Sequence, residues 1–304
     1  MNRGIARIRG LTTAIGATAS NRVILVLLAA ILCTNGCGYL RTAATGSLVR
    51  DVYSASLEQD DPVLVSQALP TYLLLMEALL KSDPDNAEML RATAEGYTGY
   101  GVLVEAEEPQ RAAIIFARAR DYGTKALVAR RPDVRDLLEG PFSEFAKIDK
   151  QLRKEDVGYV FWAASSWGAW IGANLDSMAA LADLPRVIHL MHWVLEQDES
   201  FRNGGAHLFL GIYHAALPPM LGGKPELALS HFERALELTN GKDLMVRVQM
   251  ARFYARQIFD RELFVEQLEL VLQTPANTAP KLTLQNAAAK RLAQTLLKDV
   301  DVYF

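Results

Sequence analysis

The chain has 304 residues, of which 50% are hydrophobic and 22% charged, with 20 Gly and 12 Pro. That composition excludes collagen-like and low-complexity chains and leaves ample apolar side chains for a full core. The formal charge of −3 is too small for a nucleic-acid footprint. Cys33 and Cys37 are the two cysteines, so no disulfide, thiolate metal site or cysteine nucleophile exists beyond residue 37.

Residues 1–36 carry Arg3, Arg7, Arg9 and Arg22 and no acid, and Val23 to Leu32 form an unbroken apolar run. A membrane-spanning helix needs about 20 apolar residues, so this shorter run reads as the core of a signal peptide over residues 1–36. Gly36 directly precedes Cys37. A small residue before a cysteine at the end of an apolar core resembles a bacterial lipobox, in which Cys37 becomes the acylated mature N-terminus. Thr34 departs from the Leu usual at that position, and an ordinary secretory signal with incidental cysteines is the alternative. Residues 37–60 then form a lipidated anchor and linker. Without the leader arginines, 28 basic and 35 acidic side chains remain, a formal charge of −7. That suits a periplasmic body and argues further against polyanions. Gly38 stands where an Asp would retain a lipoprotein at the inner membrane, which favours the outer membrane as the address.

Residues 61–304 read as one helical domain. Hairpin signals are nearly absent, and prolines at 62, 70, 84, 109, 132, 141, 185, 218, 219, 225, 275 and 280 mark junctions. Pro70 and Pro185 are expected in first turns of helices. A first unit opens at Asp83-Pro84-Asp85-Asn86, follows a helix with Leu90 and Tyr97, crosses a long loop through Glu105 to Pro109, and ends in a helix with Ala112, Phe116 and Ala119. A degenerate unit covers residues 159–175 and 184–196, with Val187, Met191 and Val194 in the equivalent slots. In the third, Gly222-Gly223-Lys224-Pro225 leads into Ala228, Phe232 and Ala235. The fourth covers residues 244–258 and 260–272, with Phe264, Leu268 and Val271.

The spacing Ala-x₃-Phe-x₂-Ala puts small residues against a partner helix and one aromatic into its groove, as in the second helix of a tetratricopeptide unit. The slots begin at 112, 187, 228 and 264, and only the last two intervals approach that repeat length. The expected fold is all-α, with tetratricopeptide-like helix-pair repeats in a superhelical array of roughly ten to fourteen helices. An irregular helical bundle is the alternative.

Beyond Gly36-Cys37, several stretches carry a family resemblance: Ala68-Leu69-Pro70-x-Tyr72-Leu73, Ser82-Asp83-Pro84-Asp85-Asn86, Ala117-Arg118-Ala119-Arg120-Asp121-Tyr122-Gly123, Leu210-Gly211-x-Tyr213, Leu217-Pro218-Pro219-Met220-Leu221-Gly222-Gly223-Lys224-Pro225 and Ala251-Arg252-x-Tyr254-Ala255. Together, over residues 37–304, they resemble the T-component family of TRAP transporters, the tripartite ATP-independent periplasmic systems. The Pro-Pro-x-Leu-Gly-Gly-Lys-Pro stretch is the most specific part. The resemblance implies an all-helical lipoprotein that associates with the transporter's periplasmic solute-binding protein and passes or holds a small apolar or amphipathic ligand. A tetratricopeptide-like scaffold lipoprotein in envelope assembly, with no small ligand, is the competing expectation. Homo-oligomerisation is left open by either.

No catalytic signature is visible: there is no Gly-x-Ser-x-Gly and no His-Glu-x-x-His. Gly222-Gly223-Lys224 lacks the upstream Gly and downstream Ser or Thr of a phosphate loop and reads as a helix stop followed by a start at Pro225. His189 with His192, and His207 with His214, share helix faces, but a zinc site needs three or four convergent ligands, so no metal is expected. Nothing calls for a cofactor, and the expected role is non-enzymatic. Trp162, Trp167, Trp170 and Trp193 are all the tryptophans of the chain. Trp162, Trp167 and Trp170, set among Ala163, Ala164, Ser165, Ser166, Gly168 and Ala169, are expected to line an apolar cavity, with plain core packing as the alternative. Tyr213 and His214 on the following unit are the expected neighbours.

The Cys37→Ser chain is expected in the soluble periplasmic fraction after cell fractionation, and unchanged membrane retention would overturn the lipobox reading.

Overall fold

Caps and prolines set where the helices begin. The computed structural model describes residues 51–217, 220 and 222–304, so the leader and Cys37 lie outside it. Ten principal helices follow: α1 (Pro62–Leu80), α2 (Ala87–Val104), α3 (Pro109–Arg130), α4 (Val157–Gly172), α5 (Leu184–Gln197), α6 (Phe201–Ala216), α7 (Pro225–Thr239), α8 (Leu244–Gln249), α9 (Arg261–Gln273) and α10 (Thr283–Lys298). Short helices at Arg135–Glu139, Phe142–Phe145, Met178–Ala182 and Val300–Tyr303 fill the connections. No strand occurs among the described residues, and the fold is all-α.

The carboxylates of Asp61 and Asp260 and the amide oxygen of Asn86 each accept from backbone N–H groups in the first turn of α1, α9 and α2. Such caps satisfy donors that the helix itself leaves free. Pro109 and Pro225 open α3 and α7, where the missing N–H costs nothing. Asn240 and Gly241, at φ 50° and 68°, end α7.

Each helix packs on its successor from α1 to α7, and α9 and α10 pack on each other and on α8. α8 continues into a π-helical segment, Met250–Ala255, which rests on α6 and α9. α10 returns to touch α1, and Arg291 on α10 lies 3.2 Å from Glu107 in the turn after α2.

The twelve slot residues of the four sequence units, Ala112 to Val271, are each no more than 2% exposed. Phe116 and Phe232 show why. A Cβ on Gly101 of α2 would land inside the Phe116 ring, and one on Gly211 of α6 would lie 3.2 Å from the Phe232 ring. The Phe116 ring therefore sits in a socket that only a glycine leaves open, while Gly211 allows a close but less extreme approach of the Phe232 ring.

Two expectations are corrected. Pro70 lies inside α1, not in a first turn; Pro62 takes that position. Val65, Leu73, Met76 and Leu80 form one buried stripe across the proline, and its packing holds the helix together despite the lost hydrogen bond. The connection between α2 and α3 is not a long loop either. Four residues, 105–108, separate them, and the extra length of this unit resides in the two long helices.

Phe116→Ala and Phe232→Ala should each destabilise the protein by about 3–5 kcal/mol through lost transfer energy and an unfilled socket. Urea denaturation measures this, and unchanged midpoints for both variants would refute the socket account.

Candidate functional site

The helix that carries the tryptophans begins at a buried charge. Asp156, directly before α4, is fully buried. Its carboxylate accepts from Arg130 Nε at 2.9 Å, Arg131 Nε at 2.6 Å and the Arg153 backbone N–H at 2.9 Å. Burial alone would raise its pKa, but these three hydrogen bonds outweigh burial and hold the carboxyl below its ordinary value. Arg130 and Arg131 end α3, so the charge fixes the start of α4 against the end of α3.

From that start, α4 places its three tryptophans differently. Trp162 is buried, edge-on to Phe161, with the Arg202 guanidinium 5.1 Å from its ring centroid. Among the described residues its indole N–H has no hydrogen-bond partner. Arg202 reaches it from a left-handed turn, Arg202-Asn203-Gly204, with φ values of 50°, 59° and 76°. Trp167 is also buried, and its Nε1 donates to Asp183 at 3.2 Å. Trp170 is half-buried, with the Arg120 guanidinium 4.1 Å from its ring centroid, a favourable cation–π distance.

Trp167 borders a groove of about 680 Å³. Leu90, Val128 and Leu138 supply further apolar wall, while Arg120, Lys125 and Arg135 bring positive charge and Asp85, Asp121 and Glu139 negative charge. The space is large enough for a small molecule, but eight of its fourteen lining residues are polar or charged, so its polarity is mixed where small-molecule sites are mostly apolar. Neither Trp162 nor Trp170 is on its wall: Trp162 packs against Phe161 and Arg202, and Trp170 lies under Arg120, so of the three tryptophans expected to line a cavity Trp167 alone does so. The charged lining arrives from the turn before α2, from α3, from the short helix Arg135–Glu139 and, as Asp183, from the residue before α5, and no spacing in the sequence announces that convergence.

Tyr213 and His214 belong to a second cluster, between α6 and α7. Their rings are 4.9 Å apart, and His214 stacks on His231 with centroids 5.9 Å apart and planes 6° from parallel. His231 Nδ1 in turn lies 2.9 Å from His207 Nδ1, so one nitrogen of that pair donates and the other accepts. His207 Nε2 lies 3.5 Å from Glu199, which pairs with Arg234. His231 was the ring that sequence reading missed; its place one residue before the Phe232 slot was the available signal.

Gln257, two residues past the π-helical segment, donates through Nε2 to the Leu217 carbonyl at 2.6 Å, and the Lys224 N–H donates to the His214 carbonyl at 3.0 Å.

A family model described as TRAP transporter T-component matches residues 58–304. The chain belongs to the TRAP transporter T-component family. A protein of Treponema pallidum (strain Nichols), titled uncharacterized, is 23% identical over 267 residues, covering 81% of each chain. Membership of the T-component family makes the protein an accessory component of a TRAP transporter, associated with that transporter, and suggests a cell-envelope location and a non-enzymatic role.

The imidazoles give this T-component a pH dependence. Burial pushes His231 down to about 4, helped by His207, His214 and His192. Burial also lowers His207, against the pull of Glu199, and lowers His214 with help from Lys224. The folded rings stay neutral where the unfolded ones begin to protonate, so this stability is complete above about pH 6.5 and is lost as the pH falls towards about 4. Urea midpoints measured from about pH 7.5 to about pH 5 should fall, and His231→Asn should flatten that slope.

Proposed function

We propose that this T-component is a periplasmic lipoprotein, acylated at Cys37, whose helix pairs form a tetratricopeptide-like superhelical array that docks the transporter's solute-binding protein. The groove beside Trp167 holds a small amphipathic ligand. Its apolar wall takes the hydrocarbon part, and Arg120, Lys125 and Arg135 take the polar part. Transfer then needs no covalent chemistry, only different affinities of the two proteins for the same solute. The observation that carries this reading is the groove of about 680 Å³ bordered by Trp167 in a chain of this family.

Immobilised mature chain should capture a periplasmic solute-binding protein as its dominant partner from native envelope extract. Amphipathic solutes eluted with that partner should change the tryptophan fluorescence, and Lys125→Ala with Arg135→Ala should weaken the response about tenfold, as loss of one or two charge-assisted hydrogen bonds does. Capture of outer-membrane assembly factors instead, with no solute response, would establish the scaffold reading.

A further inference from the structure

The first long helix has a face that the fold does not use. From Pro62 to Met76 α1 carries no charged residue, and it is long and apolar enough to cross a bilayer, yet only 22% of its most apolar window is buried. Val65, Leu73, Met76 and Leu80 pack inward. Val63, Leu64, Gln67, Ala68, Thr71, Leu74, Leu75 and Ala78 are all exposed. At 3.6 residues per turn these eight positions fall within an arc of about 140° opposite the buried stripe. Leu64 and Leu74 are 53% and 63% exposed, and with Val63 and Leu75 they make a contiguous apolar patch, which monomeric surfaces seldom show.

We propose that this face of α1 lies on the bilayer surface, in the boundary between headgroups and acyl chains, with the helix parallel to the membrane. The choice of a lipid partner rests in part on the acylation of Cys37 proposed above. Residues 38–61 separate that cysteine from Pro62, and a chain of this length spans at most about 85 Å, so α1 is always within reach of the membrane. Composition carries the rest. Protein interfaces are anchored by Trp, Tyr and Arg, and none of the eight exposed positions holds one. Aliphatic side chains with Gln and Thr suit the headgroup boundary, where apolar area drives binding. The buried stripe excludes a spanning orientation, because Leu73 and Met76 are held inside the fold. Since the face has no Lys or Arg, its binding needs no anionic lipid and resists salt, unlike that of basic amphipathic helices.

The test uses the mature chain with Cys37→Ser, free of any acyl group, in flotation with phosphatidylcholine vesicles. The chain should float, to the same extent in low and high salt and with or without added phosphatidylglycerol. The double variant Leu64→Glu, Leu75→Glu should lose about tenfold or more in partitioning, with unchanged far-UV circular dichroism and thermal midpoint. Equal flotation of the variant, or a wild-type chain that stays in solution at every lipid concentration, overturns the proposal. So does a wild-type dimer that the double variant turns into monomer without any vesicle binding, which would assign the face to a second copy. Acylation is read separately from the mass of the native chain, so its failure and that of the bilayer contact give different results.

Discussion

Two phenyl rings that fill space left empty by glycine on the opposite helix set the helix spacing on which the rest of this T-component depends. Phe116 against Gly101 draws α2 and α3 together, and Phe232 against Gly211 does the same for α6 and α7. The first approach lets Tyr97 stack on Tyr122 at 5.6 Å, and both hydroxyls donate to Glu77, which ties α1 to the pair. The second brings His207 and His231 within hydrogen-bonding distance across two helices. Close-packed interiors transmit such constraints because no void absorbs a change in spacing.

Electrostatics enters where packing leaves off. The carboxylate of Asp156 is fully buried and is tolerated because Arg130, Arg131 and the Arg153 N–H satisfy it. Removing that charge would leave the largely buried Arg131 without its carboxylate, while Arg130 is exposed enough for water to solvate it. The same logic appears in weaker form along α4, where Asp183 satisfies the Trp167 indole and Arg120 lies over Trp170. Around Trp162 it is incomplete: Arg202 covers the ring but among the described residues the indole N–H is left unpaired. Arg202 and Asn203 hold left-handed backbone angles that non-glycine residues rarely adopt, so the structure stores strain beside an unsatisfied donor.

These features are the ones on which the proposed holding and docking role rests. The described surface offers a groove of mixed polarity and an uncharged helix face, and the imidazole cluster lies where the Leu217 and Lys224 backbone is tied down by Gln257 and His214.

Much of this was readable along the chain. The helix start at Pro225 and the buried slots from Ala112 to Val271 follow from local rules: a missing N–H and a recurrence every three or four residues. The family resemblance was readable for the same reason, being carried by contiguous stretches such as Leu217 to Pro225. The start at Pro109 was not, because the sequence reading placed that proline in a loop. The position of Pro70 was not, because a local breaker lost to a buried stripe that only the finished packing stabilises. Nor was the polarity of the groove, since Asp85, Arg120, Arg135 and Trp167 come from four separate elements. His207 and His231 are 24 residues apart on different helices. Their contact depends on how closely α6 and α7 approach, and a distance between helices is a property of side-chain volume in three dimensions that no one-dimensional spacing records.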